Sequence, residues 1–179
     1  TIKNKEWGNH CRNIKDCCNS IPDSKIENRD RRGDTPAGNA VFMGNLVLLR
    51  EFIHRNVNMF ALNDCGMNFV HLASRYGHND VLLWLLNSKY KYDINAKTTD
   101  GSTAIILASY GTHSETIKIL FTHGADPTIT SNRGDNIFHL GSSSDCETEG
   151  DLDTVSMSYI IAPECIDKPN NDGNRPFME

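Results

Sequence analysis

The side chains able to carry nucleophilic, acid–base or metal chemistry near neutral pH are seven histidines and six cysteines. His10, Cys11, Cys17 and Cys18 lie close enough together to suggest zinc, but zinc sites favour cysteine pairs about two to four residues apart with a second pair downstream. Partly buried helix thiols are the simpler reading. Cys65, Cys146 and Cys165 complete the set, which lacks the paired spacing of disulfide-stapled domains, so reduced thiols are expected. His54 and His123 fall near the ends of apolar helical segments, where a cation suits the helix dipole. There is no Gly-x-Ser-x-Gly, no phosphate loop and no His-Glu-x-x-His. The sequence therefore predicts no catalytic, cofactor-binding or metal-binding residues and no enzyme activity. Arg29, Asp30, Arg31 and Arg32 make a small basic cluster, but a chain of net charge −5 without interleaved aromatics is a poor nucleic-acid binder.

The elements that would hold these residues follow from composition and periodicity. A length of 179 residues with 38% hydrophobic and 23% charged side chains suits one packed, soluble domain. No run approaches the roughly 20 apolar residues of a membrane span, and no secretory leader is visible, so an intracellular, cytoplasmic protein is expected. The chain starts at Thr1 and residues 174–179 stop inside a repeat, so it reads as part of a longer polypeptide, whose membrane segments elsewhere stay open. Charge is uneven, at +3 over residues 1–59, −1 over 60–127 and −7 over 128–179. That polarity either steers a charged partner or is a solvated face.

Five glycines mark a repeat. Gly33, Gly66, Gly101, Gly134 and Gly173 are separated by 33, 35, 33 and 39 residues. Their surroundings are alike, as in Arg32-Gly33-Asp34-Thr35-Pro36 and Asp100-Gly101-Ser102-Thr103-Ala104. A glycine in a polar turn permits positive φ, the Thr or Asn two residues on caps a helix, and a short apolar helix follows. A second helix then shows one apolar stripe, Leu48, Leu49, Phe52 and Ile53 in one copy and Val81, Leu82, Leu85 and Leu86 in another. Two such helices cannot bury their stripes alone, but stacked copies can.

The turn, the opening segment with His71 or His139, and the close Gly124-Ala125-Asp126-Pro127 resemble the ankyrin repeat over roughly residues 26–177. The resemblance implies an all-α ankyrin-repeat solenoid of helix-turn-helix units joined by β-turn or hairpin fingers. It divides the chain into a capping helix or degenerate repeat (1–27), repeat 1 (28–59), repeat 2 (60–95), repeat 3 (96–127), repeat 4 (128–167) with an acidic, Ser-rich insertion at 141–150, and the start of a truncated fifth repeat (168–179). It also implies that His71 and His139 satisfy backbone groups between repeats, and that His78 and His113 open second helices. Three departures stand out. Ala37-Gly38-Asn39-Ala40 predicts a weaker first inner helix, Ile106 replaces the motif histidine, and a stripe of Leu152, Val155, Tyr159 and Ile160 follows the insertion. Trp7, Cys11, Ile14, Cys18 and Ile21 form one helical face, read as a cap, the remnant of an earlier repeat, or a partner-binding helix.

The resemblance further implies a non-catalytic module that binds another protein or peptide through a concave finger and inner-helix face, with a monomer expected and no cofactor, nucleic acid or membrane insertion. The alternative is a cytosolic regulatory or substrate-recruiting domain of an ion channel or protein acyltransferase whose activity lies outside these residues. The family's variable contact positions fall here on Arg31, Arg32, Asp34, Asp64, Met67, Asp100, Ser102, Arg133 and Asp135 of the fingers, and on Phe42, Met43, Arg75, Tyr76 and Tyr110 of the inner helices. Phe42, Met43, Tyr76 and Tyr110 either form one binding stripe or pad the contacts between repeats. An ankyrin fold sets a manner of binding and does not name the partner.

Overall fold

A computed structural model describes residues 21–139 and 149–176. Seven α-helices and no strand occur among the described residues: α1 (Pro36–Phe42), α2 (Leu46–His54), α3 (Phe69–Arg75), α4 (Asn79–Leu86), α5 (Ala104–Tyr110), α6 (Ser114–Thr122) and α7 (Glu149–Ile161). Short 3-10 turns at Asp23–Lys25 and Pro163–Cys165 precede the first and last fingers. The first inner helix, α1, packs on α3 and α3 on α5. The outer helices α4 and α6 also meet, and α7 lies against α6.

Helices α1 and α3 are short because their sequences cap them and then stop them. Thr35 and Asn68 accept from the backbone N–H groups of Gly38 and His71 at 3.1 and 2.9 Å, which satisfies donors left open at the first turn. Gly44 and Gly77, at φ 66° and 67°, turn the chain back into the outer helices. The core is one continuous apolar cluster that runs from Ile21 to Cys165. Helix α1 is fully formed, with Ala37, Ala40 and Val41 buried, so its small residues bring close approach and not the expected looseness. A Cβ built on Gly38 would sit 3.5 Å from the Phe69 ring.

Repeat 4 departs from the plan. Ile137–His139 form a turn where an inner helix was expected, although Ile137 and Phe138 are fully buried. The segment that follows in sequence is rich in Gly and Ser, which are poor helix formers. Most of the 141–150 insertion and the segment 1–20, with its cap and its His10, Cys11, Cys17 and Cys18 group, lie outside the described residues. In α7 the expected stripe is corrected. Tyr159 and Ile160 are 56% and 72% exposed, whereas Thr154, Ser158 and, just beyond the helix, Ala162 are buried. Spacing of four residues puts these three on one face, about 100° per residue away from Tyr159 and Ile160.

Five turns project from the stack in register. In each, the N–H of residues 30, 63, 98, 131 and 170 bonds the carbonyl four residues on, at 2.9 to 3.1 Å. The turn glycines take φ between 70° and 83°. Gly101 shows why no larger residue fits, since a Cβ there would lie 2.7 Å from the backbone nitrogen of Asn132 in the next finger. A single backbone bond links each finger to its neighbour: Asp64 N–H to the Arg32 carbonyl, Thr99 to Cys65, Asn132 to Asp100 and Asn171 to Arg133, all at 2.8 to 3.0 Å.

Candidate functional site

The fingers are rigid because the first residue of each turn staples it. Asp30 Oδ1 accepts from the N–H groups of Arg32 and Asp34, and Asn63 Oδ1 from those of Cys65 and Met67. Ser131 Oγ accepts from Arg133 and Asp135, and Asn170 Oδ1 from Asp172 and Asn174. In the third finger Asp100 takes this role, accepting from Thr98 Oγ1 and from both the N–H and hydroxyl of Ser102. Burial works to raise the Asp100 carboxyl, but these hydrogen bonds prevail and hold it below the ordinary carboxylate range. These stapling residues escaped the sequence reading. In four fingers their signal is a side-chain oxygen three residues before the turn glycine, carried by Asp30, Asn63, Ser131 and Asn170; in the third it is Asp100, next to Gly101.

Histidines tie the opening segments of repeats 2 and 4 to the following finger. His71 Nδ1 accepts the Asn68 N–H at 3.2 Å while Nε2 lies 2.9 Å from the Ala96 carbonyl of the next repeat. His139 repeats the arrangement with Asn136 and the Asn174 carbonyl, at 3.1 Å each. Nδ1 accepting leaves the proton on Nε2, which donates to the carbonyl. Burial holds the His71 pKa below its ordinary value. His78 Nε2 reaches the Phe42 carbonyl at 2.8 Å, one repeat back.

The finger and inner-helix residues expected to meet a partner divide into three groups. The first is a connected platform. The Arg32 guanidinium lies 4.2 Å over the Phe42 ring, and Phe42 meets Tyr76 edge to face at 4.6 Å. Met43, at 44%, and Tyr76, at 38%, leave much of their surface exposed beside it, as do Arg31 and Arg75. Arg32 itself is tied down, paired with Asp34 at 3.1 Å and Asp30 at 3.6 Å and donating to Asn39 at 3.0 Å. It serves as a fixed surface for the ring more than as a free charge.

The second group is polar and lies further along the stack. The Tyr110 hydroxyl donates to Asp135 Oδ2 at 3.3 Å, and Asn170 Nδ2 donates to Asp135 Oδ1 at 2.8 Å. Burial, helped by the Asp135 carboxylate, pushes the Tyr110 phenol above its ordinary pKa. Among the described residues no ring contact joins Tyr110 to Phe42 or Tyr76. Tyr110 packs on the core with Met67 and points its hydroxyl at the fourth finger. Asp64, Asp100 and Arg133 remain exposed on successive fingers.

The third group is a correction. Asp34 and Ser102 are buried, so neither can touch a partner. Asp34 accepts from Asn63 of the next finger at 3.0 Å and burial raises its carboxyl against the opposing pull of Asn63 and Arg32. Ser102 braces Asp100. Their roles are in shaping the fingers.

Among the described residues no group of three or more His, Cys, Asp or Glu is placed to hold a metal ion, and no helix is long and apolar enough to cross a membrane. Cys65 and Cys165 are free thiols, one exposed and one buried, and burial raises the Cys165 pKa away from reactive thiolate.

Comparisons with known proteins agree with this architecture. Residues 48–108 match the family model described as ankyrin repeats in many copies. The chain is 27% identical over 144 residues to synphilin-1 of Mus musculus, covering 78% of this chain and 14% of that protein. It is 31% identical over 108 residues to transient receptor potential cation channel subfamily A member 1 of Homo sapiens, and 28% identical over 106 residues to putative ankyrin repeat protein L371 of Acanthamoeba polyphaga mimivirus. These last two alignments cover 59% of this chain and 10% and 14% of the relatives. The chain thus spans only a small part of the length of the curated relatives it matches. With its turns, histidine locks and paired helices repeated along the stack, the chain has the all-α architecture of an ankyrin-repeat solenoid, and residues 48–108 match that family.

Proposed function

We propose that this chain is a non-catalytic binding module that grips a segment of another protein across its fingers and inner-helix ends, within a longer polypeptide and as an intracellular monomer. The observation that carries the reading is the platform of Arg32, Phe42 and Tyr76, rigid beneath and exposed above, with Met43 and Arg75 at its edge. Preorganised aromatic surface costs little entropy on binding, and aromatics, Met and Arg are the residue types that anchor interfaces. Exposed charges at Arg31, Asp64, Asp100 and Arg133, with half-buried Asp135, would select the partner along the fingers. The deciding experiment is affinity capture from lysate with the chain and with a Phe42→Ala, Tyr76→Ala double variant that still unfolds cooperatively. Loss of a retained protein in the variant supports the reading, and equal retention by both overturns it.

A second reading has its own support. The similarity to a cation channel subunit makes a regulatory domain of a membrane protein an alternative context for the same binding surface. Activity would then lie outside these residues. Synphilin-1 supports neither context over the other.

A further inference from the structure

An aromatic surface that the finger reading does not use arises from the irregular spacing of the repeats. Gly66 and Gly101 are 35 residues apart where neighbouring glycines are 33 apart. Helices α2, α4 and α6 begin at the same distance after their turn glycines, so the two extra residues fall after α4, in the loop 87–93. This lengthened loop carries Tyr90 and Tyr92 back toward the preceding repeat. The Tyr92 hydroxyl donates to the Met59 carbonyl at 2.6 Å, and the Phe60 ring lies 5.5 Å from Tyr92 and 6.2 Å from Tyr90. Phe60 remains 55% exposed and Leu62, two residues on, 50% exposed, so two large apolar side chains of one short segment are left open to solvent.

The rim of this patch is cationic. Lys89 Nζ sits 5.3 Å over the Tyr90 ring, Lys91 is exposed between the two tyrosines, and the exposed Arg29 bonds the Leu62 carbonyl. In the same loops the exposed Glu27 and Asp93 accept from the Asn58 and Asn95 N–H groups, so three cations face two carboxylates and the rim stays net positive. No ion pair to Lys89, Lys91 or Arg29 is formed among the described residues. Rings in direct edge contact leave no gap for a ligand cation, and three surrounding cations repel one. An anionic segment meets the opposite field.

We propose that Phe60, Leu62, Tyr90 and Tyr92, rimmed by Arg29, Lys89 and Lys91, form a second docking surface for an acidic peptide segment carrying an apolar side chain. The apolar side chain covers Phe60 and Leu62, and flanking carboxylates meet the rim. Because no residue of the Arg32, Phe42 and Tyr76 platform takes part, the two surfaces fail or succeed separately.

The test uses a displayed library of random 12-residue peptides, selected on the chain and counter-selected on a Phe60→Ser, Lys91→Glu variant. Both substituted side chains are exposed, and the variant's unfolding curve should match that of the parent. The expected result is enrichment of sequences with acidic residues around an apolar one. Their affinity should fall about tenfold or more in the variant, and markedly with added salt, while staying unchanged in Phe42→Ala, Tyr76→Ala. No enrichment, enrichment of neutral or basic sequences, or equal binding to the Phe60→Ser, Lys91→Glu variant each overturns the proposal. Peptides lost only in the Phe42→Ala, Tyr76→Ala variant belong to the finger surface and also overturn it.

Discussion

Helices α4 and α7 are both outer helices, yet they bury opposite kinds of side chain. In α4, Val81, Leu82 and Leu85 are fully buried. Among the side chains described in α7, the buried ones are Thr154 and Ser158, whose hydroxyls have no hydrogen-bond partner, while Tyr159 and Ile160 face outward. The difference is not polarity alone. Thr116 of α6 is also buried, but its hydroxyl donates to Asn79 Oδ1 of α4 at 2.6 Å. A buried hydroxyl is tolerated where the neighbouring helix answers it and costs free energy where it does not. The middle repeats therefore rest on fully buried aliphatic side chains, whereas the described part of α7 sets partly buried Met157 and Ile161 and two unanswered hydroxyls against the stack.

The largest expected effect breaks that contrast directly. Leu85→Ala should destabilise by about 2–5 kcal/mol, since it removes a fully buried side chain and leaves a cavity between packed helices. Ser158→Ala, one small side chain for another at a buried site, should leave stability unchanged or raise it by up to about 1 kcal/mol by removing an unanswered hydroxyl. Urea denaturation of the two variants decides the matter. Comparable losses in both would mean that α7 is packed as tightly as α4.

The second comparison is between repeats 2 and 3 at the motif histidine. His71 is buried and held neutral, so its folded pKa lies below the unfolded value of about 6.5. The unfolded chain then binds more protons than the folded one below neutrality. Stability from this group is fully present above about pH 7 and declines as pH falls through 6.5, by about 1.4 kcal/mol per unit of depression. His113, also depressed by burial, adds to the same slope. Asp30 and Asp100, which hydrogen bonds hold low, matter only below about pH 4. Between pH 7.5 and 5, His71→Asn should flatten the urea midpoint's dependence on pH relative to the parent. An unchanged slope would show that His71 titrates alike in the folded and unfolded states and so is more accessible than its burial implies.

Much of this was legible in the sequence because the turn glycines and the capping Thr and Asn obey strict local geometry. Gly33 and its four equivalents and the Thr35 and Asn68 caps follow from spacing, and the His71 lock from the ankyrin resemblance. What was not legible depends on contacts between repeats. Asp34 and Ser102 stand beside a turn glycine in sequence, but their burial is set by Asn63 of the next finger and by Asp100. The direction of the Tyr110 hydroxyl depends on where Asp135 of the next finger lies. Phe60 and Tyr92 are 32 positions apart in the chain, and only the longer loop after α4 brings them together. In α7 both a stripe through Tyr159 and one through Ser158 fit a helical period, and packing chose the less apolar of the two.

The smallest expected effect isolates the missing histidine of repeat 3. Asn68 and His71 form a reciprocal cap on α3, whereas Thr103 makes no side-chain cap on α5, where Ile106 holds the histidine's position. Thr103 Oγ1 is buried with no partner, so the hydroxyl contributes desolvation cost without a bond in return. The backbone at Thr103, φ −92° and ψ 167°, is extended and suits a β-branched residue of either kind. Thr103→Val should therefore be neutral or stabilising by up to about 1 kcal/mol, where the same loss of a capping side chain at Asn68→Ala should cost about 1 kcal/mol or more. The two variants share a place in the repeat and differ in whether the side chain has a partner. A loss at Thr103→Val equal to that at Asn68→Ala would mean that the Thr103 hydroxyl caps α5 in solution, and that Ile106 does not weaken the start of that helix.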